Sequence, residues 1–200
     1  MVGLTGSIGT GKSTAAAMLA GMGLPVFDAD AAVHALMAPG GEAVAPIATS
    51  FPGVTAESGG RQLIDRKALG SHVFGDTGAL RRLESILHPL VRRRERQFIA
   101  TARRMRLPAV VLDIPLLFET GGNRRCDSVI VVSAPRFLQR QRVMRRPGMT
   151  EERFRQVLAR QTPDAEKRRR ADFVVPTGLG YGDTRRRLRA IVSLLLRKEE

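Results

Sequence analysis

The chain has 200 residues, 43% hydrophobic and 26% charged, which fits one globular domain, alone or with small insertions, and excludes wholesale disorder, a repeat array and a large multidomain assembly. Lys and Arg number 33 against 19 Asp and Glu, a formal net charge of +14. The longest apolar run, Ile191 to Leu196 interrupted by Ser193, is far short of the roughly 18 to 20 residues a bilayer span needs.

Val2 to Thr5 is a short apolar strand, and Ser13 to Met22 reads as a helix closed by Gly23. Between them, Gly6-Ser7-Ile8-Gly9-Thr10-Gly11-Lys12-Ser13 fits the phosphate-loop spacing of Gly, four residues, then Gly-Lys-Ser, in the strand, loop and helix setting that the spacing requires. Glycines let the backbone turn its N–H groups inward, so that loop and helix N-terminus cradle phosphate oxygens. Lys12 then neutralises the β and γ phosphates, and the Ser13 hydroxyl ligates Mg²⁺.

Pro25-Val26-Phe27 is a second strand, ending at Asp28-Ala29-Asp30, where a helix through His34 and Met37 begins. Asp28 and Asp30 fall where an acceptor hydroxyl would approach, and one carboxylate there can take its proton; the bland alternative is that Asp30 is the helix N-cap. From Glu42 to about Arg106 the pattern is helical and punctuated: Glu42 to Phe51, a turn through Pro52-Gly53 and Ser58-Gly59-Gly60, Arg66 to Phe74, Thr77 to Leu87, then a basic stretch after Pro89. No strand is expected in it.

Ala109 to Ile114, Ser128 to Ser133 and Phe173 to Val175 are continuous apolar runs of the kind a strand buried on both faces requires. Helical patterns cover Arg136 to Arg145, Thr150 to Gln161 and Asp183 to Arg197. This alternation implies an α/β fold, an open parallel sheet with its ligand at the carboxyl ends of the strands, a helical insertion on one side and a second insertion around Met144 to Gln161. Asp113 ends its strand where a carboxylate can hold the Mg²⁺ shell opposite Ser13, or can simply turn the chain out of the sheet; Pro115 and Glu119 follow closely. Arg136, Arg140, Arg142, Arg145 and Arg146 precede Pro147-Gly148 and read as a cationic lid over phosphates, with Arg142 and Arg146 sharing a face.

The only asparagine, Asn123, is followed by Arg124, and no Asp-x-x-Gly occurs, so the guanine-reading and switch motifs of a GTPase are missing. Aromatic residues make up 4%, too few for a stacking platform on single-stranded nucleic acid. The single cysteine, Cys126, makes no internal disulfide, and with His34, His72 and His88 shows no metal-ligand spacing; it reads as structural. With no leader-like segment, the chain is expected to be cytoplasmic.

The ordered motifs resemble the dephospho-coenzyme A kinase family over nearly the whole chain. The resemblance rests on Gly3 to Thr14, Asp28-Ala29-Asp30, Ile64 to Leu69, Leu87-His88-Pro89-Leu90-Val91, Asp113-Ile114-Pro115-Leu116-Leu117-Phe118-Glu119, Gln139 to Arg146, Gln161 and Ala171-Asp172. It implies a P-loop kinase that uses ATP and Mg²⁺ to phosphorylate the ribose 3′-hydroxyl of dephospho-coenzyme A, with no nucleic-acid or membrane partner and an open oligomeric state. It implies a nucleotide-binding core over 1–33, 107–143 and 162–200, a helical acceptor-binding domain over 34–106 and a lid over 144–161. Gly6, Gly9, Thr10, Gly11, Lys12, Ser13 and Thr14 match the ATP loop, with Ser13 and Asp113 toward the metal. Asp30 corresponds to the base, Lys12, Arg142 and Arg146 offset phosphate charge, and Asp28, Arg66, His88 and Pro115 face the acceptor, although His88 reads equally as a buried structural histidine. Ser7 and the Val175-Pro176-Thr177-Gly178 turn depart from the family pattern. Two alternatives share the loop: another small-acceptor kinase, for a nucleoside monophosphate or a sugar acid, and a nucleic-acid-binding ATPase suggested by the charge.

Overall fold

The computed structural model describes residues 1–197. Residues 198–200, the end of the 162–200 core segment, lie outside the described residues. The chain divides into two compact units, Met1–Phe27 with the chain from Ala102 onward, and Asp28–Thr101.

The first unit is built on a sheet ordered β2-β5-β1-β6-β7, from β1 (Val2–Gly6), β2 (Val26–Asp28), β5 (Val111–Asp113), β6 (Ser128–Ser133) and β7 (Phe173–Pro176). β1 pairs in parallel with β5 and β6, and β6 with β7. Every residue of β1 and β6 is buried, as central strands covered on both faces must be. Alternation along β6 divides two apolar clusters between the faces. Ile130 and Val132 pack with Leu4, Leu19, Leu188 and Ile191, which brings in α1 (Lys12–Ala20) and α9 (Tyr181–Arg197). Val129 and Val131 pack instead with Leu117, Phe118 and the half-buried Cys126, in keeping with a structural thiol.

After β6 come α6 (Arg136–Met144), α7 (Glu151–Ala159) and α8 (Asp164–Arg169). The sequence pattern carries α7 to Gln161 and does not reveal α8, a helix too short for its period to register. Residues 144–161 fall within this first unit.

The second unit holds α2 (Ala29–Met37), α3 (Val44–Ser50), β3 (Thr55–Ser58), β4 (Arg61–Ile64), α4 (Arg66–Val73) and most of α5 (Thr77–Arg104), around a core that includes Leu36, Ile47, Phe51, Ile64 and Leu69. Three sequence expectations change here. The region is not strand-free: β3 and β4 form an antiparallel hairpin closed by Gly59 and Gly60, at φ 57° and 71°, the left-handed pair that a two-residue turn needs. All of β3 is exposed, so no apolar alternation marks it. Pro89 does not stop α5; Leu83 and Leu87, buried in the core with Ile86, Leu90 and Val91 packed on it, hold the helix through the missing N–H. The N-cap of α2 is Asp28 rather than Asp30: its backbone is extended and its carboxylate accepts from Ala31 N–H at 2.9 Å.

Candidate active site

Gly9 and Gly11 take φ of 79° and 91°, left-handed values that favour glycine, and they bend the loop so that α1 starts at Lys12. Buried Thr10 closes the turn, its N–H and hydroxyl both donating to the Ser7 carbonyl at 3.2 and 2.8 Å. No side chain caps α1 and no acid stands in its first turn, while Ser13 and Thr14 are exposed. The first-turn N–H groups and the positive end of the helix are therefore open to an anion.

Lys12 Nζ lies 2.5 Å from Asp113 Oδ1 at the end of β5. Asp113 is 2% exposed and registers beside Leu4 of β1, so the charge pair sits at the carboxyl edge of the sheet. Next to it, the Thr5 hydroxyl donates to the Pro115 carbonyl at 3.0 Å, and Ile114 N–H donates to the Leu4 carbonyl at 3.1 Å, fixing the turn that leaves β5.

Arg142, on α6, reaches across to the loop. Its guanidinium donates to the carbonyls of Gly9 and Thr10, both at 3.3 Å, and to Thr177 Oγ1 at 3.0 Å and Thr177 O at 2.9 Å. Thr177 Oγ1 in turn donates to the Thr10 carbonyl at 2.5 Å. Thr177, noted in the sequence only as a departure from pattern, is thus part of the loop's support. Arg146 is exposed past the end of α6, and Arg140 pairs with Glu151 of α7 at 2.8 Å.

Earlier in the loop, Ile8 N–H donates to Gln161 Oε1 at 3.0 Å. The next residue, Thr162, donates its N–H to Glu119 Oε1 at 2.7 Å. Lys167 Nζ, fully buried, forms an ion pair with that same oxygen at 2.9 Å. Glu119 Oε2 is buried with no hydrogen-bond partner. Burial is the largest influence on Glu119 and pushes its pKa up; the Lys167 ammonium and the backbone N–H groups of Glu119 and Thr162 outweigh it together and hold the carboxyl below the ordinary range. A cavity of about 800 Å³ adjoins this group, lined among others by Ser7, Ser133, Gln139, Gln161, Asp164 and Arg168. Glu119 and Lys167 were not singled out as site residues, although Lys167 had a signal: it is one of four lysines in an arginine-rich chain.

In the second unit, Asp28 and Asp30 are both exposed, and because Asp28 does the capping, the carboxylate of Asp30 is released from that role. Arg66 Nη1 lies 2.8 Å from His34 Nε2. His88 is exposed rather than buried, and with Pro89, Arg92 and Arg96 it lines a groove of about 300 Å³.

Ser13 and Asp113 are hard oxygen donors of the kind Mg²⁺ takes, and Mg²⁺ needs only one or two protein ligands when phosphates complete its shell. The donor set therefore fits that ion, and no group of three or more His, Cys, Asp or Glu placed to hold a metal occurs among the described residues. Among them, too, no helix is long and apolar enough to cross a membrane.

A family model described as CoaE, dephospho-CoA kinase, matches residues 1–179. A dephospho-CoA kinase of Rhodospirillum rubrum is 57% identical over 194 residues, 97% of this chain and 90% of its own. Among solved structures, TT1252 from Thermus thermophilus superposes with a TM-score of 0.80 at 37% identity, covering 97% of this chain and 96% of its own. A dephospho-CoA kinase from Campylobacter jejuni does so with a TM-score of 0.67 at 25% identity, covering the same shares.

Proposed function

The chain belongs to the dephospho-CoA kinase family, and from that premise we propose how its residues divide the reaction. The enzyme is an ATP-dependent kinase that phosphorylates the ribose 3′-hydroxyl of dephospho-coenzyme A, giving coenzyme A and ADP. The family match favours this activity over a nucleoside monophosphate or sugar acid acceptor and over a nucleic-acid-dependent ATPase. The observation that carries the placement of ATP is the open start of α1 behind the left-handed Gly11, with Lys12 at its first position.

Phosphoryl transfer asks little covalent work of a protein and much positioning and charge compensation. In our reading, Gly6 and Gly9 to Thr14 hold the triphosphate by backbone N–H groups, and Lys12, poised on Asp113, offsets charge on the β and γ phosphates. Asp30 takes the proton of the 3′-hydroxyl as that oxygen bonds to the γ-phosphorus and the bond to the ADP oxygen breaks. Arg142 acts from its seat against the loop, while exposed Arg146 supplies a further cation from the lid, residues 144–161. Residues 34–106 form the acceptor domain, where Arg66 and His88 face the acceptor; Asp28 and Pro115 orient its reacting end. Ser13 and Asp113 would hold Mg²⁺, which supplies further neutralisation of phosphate charge when bound. The same reading has the enzyme working in the cytoplasm on a small anionic acceptor, with no nucleic-acid or membrane partner.

The test is ADP formation with ATP and Mg²⁺ across dephospho-coenzyme A, AMP, CMP, gluconate, shikimate and single-stranded DNA, with coenzyme A identified as product. Acceptor-dependent ADP is expected with dephospho-coenzyme A alone. Turnover with another acceptor, or stimulation by DNA at low salt, would overturn the assignment.

A further inference from the structure

Besides Arg142, the phosphate loop is held by a relay that phosphoryl-transfer chemistry does not itself call for. Ile8 N–H is a loop donor that neither the turn at Thr10 nor the hydrogen bonds of α1 satisfy. Its acceptor is the side chain of Gln161, 153 residues along the chain. Gln161 lies between helices, past the end of α7 at Ala159 and before α8 at Asp164, with its own N–H donating to the Leu158 carbonyl of α7 at 3.1 Å. Its second anchor is the following peptide: Thr162 N–H donates to Glu119 Oε1, with Glu119 held by the fully buried Lys167.

A buried ion pair is weak evidence for added stability, since removing two charges from water costs about as much as their attraction returns. This one leaves Glu119 Oε2 without a partner, so stability is a poor account of it. Its clear structural product is the position of the 161–162 peptide, and hence of the acceptor for Ile8.

We propose that Gln161 is a positioning residue for ATP, which sets the Ser7–Ile8 peptide of the phosphate loop, and that the buried Lys167–Glu119 pair holds Gln161 in place through Thr162 N–H. The chain segment returning from α7 is thereby tied to the nucleotide loop by one hydrogen bond. Loss of that bond leaves the peptide anchored only through the Ser7 carbonyl on Thr10 and loosens the N–H cradle, so the cost falls on ATP rather than on the acceptor. The proposal rests on the reading of Gly6 to Thr14 as the ATP loop.

The test compares Gln161→Met, similar in size but without the amide acceptor, with wild type in steady-state kinetics, ATP binding by calorimetry and thermal unfolding. The expected result is a roughly tenfold rise in the KM and Kd for ATP, an unchanged KM for dephospho-coenzyme A and a melting temperature within about 2 °C. A Glu119→Leu/Lys167→Met double variant, which removes the pair together, gives the same selective rise, and adding Gln161→Met to it gives no more, because both break one relay. Glu119→Gln/Lys167→Met, which keeps an acceptor for Thr162 N–H, returns the ATP KM toward wild type. An unmoved ATP KM in Gln161→Met overturns the proposal, as does a loss shared by both substrates together with a fall in melting temperature. Additive effects in the combined variant overturn the role of the buried pair. A Lys12→Ala control separates the underlying reading: if it leaves ATP binding intact, the loop assignment itself fails, whatever Gln161 does.

Discussion

Lys12 Nζ and Asp113 Oδ1 stand 2.5 Å apart at the carboxyl edge of the sheet, so the lysine of the phosphate loop is held by a buried carboxylate from the neighbouring strand. The pair parks a cation beside the open end of α1 and keeps the side chain of Lys12, 16% exposed, from sweeping through solvent. Asp113→Asn leaves a neutral partner of the same shape. Turnover should fall by roughly 10²-fold, and ATP binding measured by calorimetry should weaken, because a charge-assisted hydrogen bond becomes a neutral one and a hard anionic donor toward Mg²⁺ is lost. Wild-type turnover in that variant would show that Lys12 needs no such anchor.

Asp30 stands exposed in the first turn of α2, with capping already provided by Asp28. Asp30→Asn is expected to lower kcat by roughly 10²-fold or more while ATP affinity stays near wild type. Asp28→Ala should instead destabilise the protein by about 1 kcal/mol through the lost cap, visible in denaturant unfolding. If the two variants exchanged these phenotypes, the base would be Asp28.

Arg142 donates to three carbonyls and one hydroxyl in a fixed fork. Lysine keeps the charge but not the planar geometry, so Arg142→Lys should raise the KM for ATP by about tenfold. Thr177→Val should raise it too, by a smaller factor. Arg146→Lys, at an exposed position, should cost less than Arg142→Lys. Equal effects at 142 and 146 would mean that charge alone matters at both.

Glu119 is held below the ordinary carboxyl range by Lys167 and two backbone N–H groups despite its burial. Its stabilisation is therefore fully present above the unfolded glutamate value of about 4.3 and is lost as pH falls through the lowered folded value. Unfolding free energies of wild type and Glu119→Gln should differ by a constant amount above about pH 5 and converge as pH is taken below about 4.3, as read by urea titration. Lys167→Ala, which leaves the carboxylate buried and unpaired, should cost about 3 to 5 kcal/mol at neutral pH.

The phosphate loop and the central strands were legible because their determinants are local. Left-handed φ at Gly9 and Gly11 asks for glycine, and a strand buried on both faces, such as β6, asks for an unbroken apolar run. The hairpin of β3 and β4 carried only its Gly59-Gly60 turn, because β3 is exposed throughout and β4 buries only its end, at Ile64, so neither strand alternates. Pro89 reads locally as a stop, yet Leu83 and Leu87 are buried in a core on which Ile86, Leu90 and Val91 pack, and that packing overrides one missing hydrogen bond. The choice between Asp28 and Asp30 as cap turned on a single extended φ and ψ.

By itself, then, the sequence determined the class of fold, the nucleotide loop and the residue types available for phosphoryl transfer, since these depend on backbone preferences and side-chain chemistry at short range. Only the tertiary structure decided that Lys12 rests on Asp113, that Arg142 and Thr177 brace the loop at Gly9 and Thr10, and that Gln161, with Glu119 and Lys167 behind it, braces it at Ile8. Those partners lie from 35 to 167 residues apart. What selects them is burial: a charge or amide taken out of water must find a partner, and which one it finds is set by packing rather than by spacing.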